Sequence, residues 1–442
     1  MSNNNNRYIT LLKLAFPICI GRMSAMLITF IDMMMVGTIG IASLAAIGLA
    51  GACYSLILSL VDTVSPTVQG IVARRVGSDS NAPKCVPVNA GLIYVIVTGI
   101  PITIISYFIA PWFFTAVSSS ADVAGEATAY FQIVILSTIA AGANQCFSGF
   151  WRGVGKTKTI MWVVIFINIL NVSLNYALVF GNFGFPALGS LGAGIGTFIS
   201  IITVTVIWFF ITKIKFKSSG LLNCFPSFDL IGVIFKKSMV LSAGTVLFIM
   251  GINMFLFSAS LMGANELALA NVLLRIHIFL LVLHESIGLI TGTLVSRALG
   301  RGDVEDASIW GRDAVKLGVF CAVVIGLPFL IFPSYILSYF FTDENITPMS
   351  DISLMVAVIS TLITSITCVL GKILICLGHG GRVMWIAFLI QWFFILPLVW
   401  FFGPYMNLDF IYIWVVYVCH GVISAMFIAK IWGSGRWKTV SV

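Results

Sequence analysis

Residues 72–77 read Val72-Ala73-Arg74-Arg75-Val76-Gly77, and 223 positions later residues 295–300 read Val295-Ser296-Arg297-Ala298-Leu299-Gly300. The same offset carries Gly40 onto Gly263, Ser137-Thr138 onto Ser360-Thr361, and Met161-Trp162 onto Met384-Trp385. Several agreements in one ungapped register identify an internal repeat, and a repeat sets the architecture before any local motif is weighed. The chain reads as two copies of one unit, 1–220 and 221–442, joined by a connection at about 214–238 that contains Ser218, Ser219, Gly220 and Pro226.

Hydrophobic residues make up 60% of the chain and charged residues 9%, with a mean hydropathy of +1.08. That exceeds what a soluble core needs, so most of the chain faces lipid or other helices in lipid. About 20 helical residues cross the hydrocarbon. Apolar runs of that length fall near 11–36, 45–75, 87–111, 127–150, 160–181 and 189–213, then near 239–262, 267–297, 313–333, 351–374, 384–403 and 409–432. The expected fold is an all-α polytopic membrane protein with twelve transmembrane helices in two pseudo-symmetric six-helix lobes. An even number of spans per copy makes both copies enter from one side, as in parallel transporter repeats, which enclose a central cleft.

Lys and Arg occupy alternate connections: Arg7 and Lys13, then Arg74, Arg75 and Lys84, then Arg152, Lys156 and Lys158, then Lys213, Lys215, Lys217, Lys236 and Lys237. The second copy repeats the pattern. The opposite connections hold only acids, among them Asp122, Glu126, Glu266, Asp343 and Glu344. The positive-inside rule therefore predicts a multi-pass protein of the cell (inner) membrane with both termini cytoplasmic. It also accounts for the net charge of +8 without nucleic acid, since no basic run is dense and interleaved with aromatics. The nine cysteines form no CxxC pair and read as packing residues. No nucleophile with its base, phosphate loop or metal-ligand cluster is seen, so neither an enzyme nor a cofactor is expected.

A charge inside hydrocarbon costs about 2.5–3.5 kcal/mol on insertion scales, so each intramembrane carboxylate is a candidate. Three qualify: Asp32, Asp62 and Glu285. Asp62 and Glu285 are repeat equivalents and candidate cleft or second proton sites; the alternative is that they bond neighbouring groups and stabilise the lobes. Asp32 falls on Phe255, so symmetry does not explain it. Counted from the span ends, Asp32, Asn171, Asn175 and Thr197 share one depth band. Asn171 and Asn175, four apart, share a helix face with Asn168. One carboxylate, two amide oxygens and a hydroxyl could hold a sodium ion, or surround a carboxylate that exchanges a proton. The alternative is that Asn and Thr only bond helices together. The equivalents in the second copy are Phe255, Phe394, Leu398 and His420, so the site belongs to the first lobe.

Several stretches together resemble the multidrug and toxic compound extrusion (MATE) transporters. They are Leu14-Ala15-Phe16-Pro17, Asp32-Met33-Met34-Met35-Val36-Gly37, Leu44-Ala45-Ala46-Ile47-Gly48, Gly149 to Thr157, Asn171 to Asn175 with Phe180-Gly181, and Leu191 to Thr197. The resemblance implies a monomer that exports small cationic amphipathic compounds in exchange for protons or sodium by alternating access. It looks closest to the DinF-like branch, whose cation-site residues fall on Asp32, Asn171 and Thr197 and whose helix-bending proline falls on Pro17. That branch's second aspartate falls on Asn175, a departure that leaves one negative charge and favours the proton. The acids of the NorM-like branch in spans 7 and 10 have no counterpart. A flippase for lipid-linked or polysaccharide substrates is the alternative; it would need a cleft lined by Arg and Lys, and away from the inner ends of the spans only Arg22 and Arg275 lie within them.

The charge pattern generates a direct test. A green fluorescent protein fused after Val442 is expected to fluoresce and an alkaline phosphatase at the same place to be inactive; the opposite pair of results would invert the topology.

Overall fold

A computed structural model describes residues 2–78, 83–118, 120–217, 219–341 and 348–439. Ser218, Asp343 and Glu344, named above, lie outside the described residues. Among the described residues the regular structure is helical throughout, as a hydrocarbon environment requires when each backbone N–H and C=O must be satisfied within its own segment.

The helices of the first copy are α1 (Ser2–Gly37), α2 (Ile41–Asp62), α3 (Val64–Gly77), α4 (Val86–Val117), α5 (Ala121–Ile135), α6 (Thr138–Gly153), α7 (Thr157–Phe180) and α8 (Gly189–Lys215). Those of the second are α9 (Phe228–Met262), α10 (Ala264–Gly300), α11 (Val304–Ile331), the short α12 (Pro333–Leu337), α13 (Pro348–Leu374), α14 (Gly380–Ile390), α15 (Leu396–Trp400) and α16 (Phe410–Gly433). Helix α2 and α3 together make one apolar span, Ile41–Gly77. So do α5 and α6, which cover the span expected at 127–150 and are bent by 47° at their junction. From Ser350 to Tyr405 helical residues run for 56 positions, which at 1.5 Å each is far longer than a bilayer is thick. Gly378, at φ 89°, breaks that run into two spans. Among the described residues the total is twelve spans in two sets of six.

The repeat is visible in three dimensions. The span Ile41–Gly77 shifted by 223 gives 264–300, the bounds of α10. The turn glycine Gly155, at φ 69°, maps onto Gly378; both take the left-handed backbone that glycine adopts without a Cβ penalty. Ser137 and Thr138 donate to the carbonyls of Val134 and Ile135, each at 2.6 Å, and Ser360 and Thr361 donate to those of Ala357 and Val358, again at 2.6 Å.

Packing groups the chain into two compact units, Pro17–Ser242, and Met1–Phe16 with Ala243–Val442. In the unit Pro17–Ser242, Trp151, Phe150, Trp208 and Tyr94 fill one buried cluster, and Tyr54, Phe114, Tyr130 and Phe131 a second. The segment after α8 is tied to this unit: Cys85 N–H donates to Ser219 O at 3.0 Å, and Asn89 Nδ2 to the carbonyls of Gly220 and Cys224 at 2.9 Å. At the junction of α2 and α3, Tyr94 Oη and Ser242 Oγ both donate to Leu60 O at 2.8 Å. In the other unit Phe255, Leu273, Trp414 and Ile413 lie at the centre of the core, and Arg7 of the first turns of α1 pairs with Asp306 of α11 at 2.8 Å while stacking over Trp310.

Small residues permit the close crossings that membrane packing relies on. A Cβ on Gly149 of α6 would stand 2.4 Å from the carbonyl oxygen of Ser65 on α3. At the equivalent crossing of α10 and α13 the small residue sits on the other helix: a Cβ on Gly288 would lie 3.0 Å from Lys372 Cβ and Val369 Cα. Backbone cannot yield as a flexible side chain can. Gly149→Ala is therefore expected to lower stability by about 1–3 kcal/mol, the usual cost of overpacking, while Gly125→Ala, which meets nothing within 4 Å, is expected not to lower it, since alanine favours a helix over glycine. Heating in detergent followed by size-exclusion chromatography reads both.

Candidate cation site

The polar set lies wholly within the unit Pro17–Ser242, and small residues and one polar clasp bring its helices together. Asn168 Nδ2 of α7 donates to Ser24 Oγ of α1 at 2.7 Å, and Gly21 of α1 faces Val164 of α7, where an added Cβ would make ordinary contact at 3.7 Å. On the other side of α7, α8 approaches through two glycines four residues apart. A Cβ on Gly192 would be 2.5 Å from Leu178 O, and one on Gly196 would be 2.2 Å from Asn175 Oδ1.

With the helices so placed, the four side chains form one hydrogen-bonded chain. Asn175 Nδ2 donates to Asp32 Oδ1 at 2.9 Å and to Asn171 Oδ1 at 3.3 Å. Asn171 Nδ2 in turn approaches Thr197 Oγ1 at 3.4 Å. Asn175 is 2% exposed and Asn171 8%; Asp32 and Thr197 are half-buried. Asn175 Oδ1, pressed against Gly196, is a buried acceptor without a partner among the described residues. The chain extends to a residue that sequence reading passed over: Tyr130 of α5, buried, shares a hydrogen bond with Thr197 and lies within electrostatic reach of Asp32. A tyrosine in an apolar span carries no signal in one dimension. The spacing of Gly192 and Gly196, by contrast, could have been read as a small-residue helix contact.

The other candidates stand apart from this chain. Asp62 is hydrogen-bonded by the side chain of Gln145. Glu285 belongs to the other unit and pairs with Lys372 at 2.7 Å. Pro17 lies inside α1 and costs its ladder one N–H, and it is where packing divides the helix between the two units. The repeat equivalents of the polar set are spent on packing: Phe255 is fully buried with its ring 4.5 Å from that of Tyr417, Phe394 and Leu398 are exposed apolar residues, and His420 lies 6.0 Å from Phe248, ring to ring. His284, on the same helix as Glu285, is held by carbonyls of Leu280 and Gly318 at 2.8 and 3.1 Å. Among the described residues no group of three or more His, Cys, Asp or Glu is arranged to hold a metal.

On the faces of α1 and α7 adjoining the polar set is a cavity of about 550 Å³, lined by Met34, Met35, Thr38, Val172, Ser173, Tyr176, Phe180 and Phe183. Its walls are thioether and aromatic, which adapt to varied apolar shapes, and they carry no Lys or Arg.

A twelve-span bundle built from two repeats, with a polar set inside one of them, has the form of a membrane transport protein rather than an enzyme. The MatE family model matches residues 17–177 and 240–403, two segments that begin 223 residues apart, and the chain belongs to that family of transporters. It is 22% identical over 98% of its length to the Probable multidrug resistance protein NorM of Thermotoga maritima, covering 93% of that protein. With the NorM of Idiomarina loihiensis it shares 24% identity over 82% of this chain and 79% of the other. Among solved structures it matches a MATE in the bent conformation, with a TM-score of 0.86 at 19% identity over 97% of this chain and 95% of that one. It also matches a MOP superfamily transporter from Pyrococcus furiosus, at 0.84 and 18% over 98% and 96%. At these identities the structural matches speak for the fold.

The contact between Asn175 and Gly196 yields a specific expectation. Gly196→Ala displaces the Asn175 amide without touching Asp32, so it is expected to lower transport at least as far as Asn175→Leu does. Parallel uptake assays in vesicles at matched expression check this; full activity in Gly196→Ala would show that the amide's position is immaterial.

Proposed function

We propose that this chain is a multidrug efflux antiporter that exports amphipathic organic cations in exchange for protons, from the cell membrane, as a monomer with both termini in the cytoplasm. The observation that carries the reading is the bonded chain Asp32–Asn175–Asn171–Thr197 beside an apolar cavity of drug-like size. The relatives named for multidrug resistance support it.

The donor set bears on the choice of ion. A sodium ion needs converging oxygens, yet the NH₂ group of Asn175 stands between the oxygens of Asp32 and Asn171 and donates to both. It occupies the place from which a cation would bridge them, and Asp32 is the sole formal charge in the set. One negative charge offsets less of the desolvation of a bare ion than two would. A proton fits these residues better: bound to Asp32, it removes the charge and turns one acceptor oxygen into a donor. The Asn175 donor is then no longer held by a carboxylate, so the bond tying α1 to α7 weakens. Protonated and ionised Asp32 thereby favour different states of α1. A substrate in the cavity lined by Met34 and Met35 acts on the same helix, and each ligand displaces the other through its differential affinity for those states.

Uptake of ethidium into inverted vesicles tests the scheme. An imposed proton gradient is expected to drive it in the wild type and a sodium gradient to have no effect. Asp32→Asn is expected to abolish the response, and Asn175→Asp, which restores a second carboxylate, to introduce a response to sodium. Undiminished proton-driven uptake in Asp32→Asn would remove Asp32 from the mechanism.

A further inference from the structure

Glu285 of α10 and Lys372 of α13 form an ion pair within the helical body of the unit Ala243–Val442, Oε1 to Nζ 2.7 Å. Comparison of the repeats shows what is unusual about it. The equivalent of Glu285 is Asp62, whose side-chain neighbour is the neutral amide of Gln145. The equivalent of Lys372 is Gly149, a residue that serves close packing against Ser65. In the second unit Gly288 takes over that packing role, so the crossing of α10 and α13 does not call for a lysine. The second copy has placed an ammonium on a flexible stem where the first copy has no side chain.

Stability does not account for the pair, because an ion pair removed from water is on balance close to neutral compared with apolar residues of like volume. Nor is the pair sealed. The side chain of Glu285 is 28% exposed and that of Lys372 30%. Hydrocarbon against a charged group of this kind is costly, so the open side suits water or a ligand. A lysine ammonium is a compact point charge on a four-carbon stem and can move away from its partner more easily than a bidentate arginine.

We propose that Glu285 is a binding group for the positive centre of an organic cation, and that Lys372 holds its place when no substrate is bound. The inference rests on the reading of the substrate as an organic cation. Binding exchanges one cation for another at the same carboxylate, so the unit never carries an uncompensated negative charge within the membrane. Lys372 acts as an internal competitor that lowers affinity and eases release.

This arrangement predicts an effect of unusual sign. Binding of tetraphenylphosphonium, a permanent cation without N–H groups, is measured by equilibrium dialysis on the full chain in lipid nanodiscs. Lys372→Met is expected to bind at least fivefold more tightly than the wild type, Glu285→Gln at least tenfold more weakly, and the double variant as weakly as Glu285→Gln. Where the methionine variant does not elute as a single species, Lys372→Gln, which keeps a donor toward Glu285, takes its place with the same expected direction. A pair that only braces the helices would give equal or weaker binding on loss of Lys372, and that result, or unchanged binding in Glu285→Gln, overturns the proposal. Absence of binding in the wild type and in every variant would instead overturn the cationic substrate reading, and the ion-pair proposal with it.

Discussion

Inside a bilayer there is no water to satisfy a polar group, and the rest of this structure follows from that constraint. Backbone groups meet it by forming helices. Many side chains meet it by finding one another. Ser137 and Thr138, at the bend, bond back to the last turn of α5, Tyr94 and Ser242 satisfy the carbonyl of Leu60 where α2 gives way to α3, and Asn175 meets the carboxylate of Asp32. Each such bond is worth on average only about 0.6 kcal/mol in membrane proteins. Their greater effect is on position, since a polar group in hydrocarbon has few alternative partners.

The two units share a scaffold and spend their polar residues differently. One concentrates a carboxylate, two amides, a hydroxyl and a tyrosine in a connected chain; the other fills the corresponding place with Phe255, Trp414 and Tyr417 in ring contact. At the next pair of equivalents the order is reversed. Asp62 takes a neutral partner, and Glu285 takes a charged one. Duplication supplies two copies of each helix crossing, and once one copy secures the packing the other is free to change. The exchange of glycine between Gly149 and Gly288 at equivalent crossings is the clearest instance.

Much of this was legible in one dimension because its causes are one-dimensional. The repeat is a register, a span is a length of apolar sequence, and depth along a helix is a count of residues at 1.5 Å each. That count placed Asp32, Asn171, Asn175 and Thr197 at one level, and the structure brings all four together. What the count lacks is azimuth. It could not tell which faces of α1, α7 and α8 meet, and so it missed Tyr130, Ser24 and the role of Gly196. It also gave no sign of the 47° bend between α5 and α6, because a bend leaves no mark on hydropathy.

The sequence by itself thus determined the number of spans, the duplication and the depth of the ionisable groups, since hydrophobic thickness and helical rise act along the chain. Tertiary structure decided the pairings: that Asn175 offers its NH₂ group to Asp32, that Gln145 rather than a charge answers Asp62, and that Lys372 answers Glu285. Those choices depend on which helices approach within a few ångströms, and that approach is set where a glycine of one helix meets the backbone or a side chain of another.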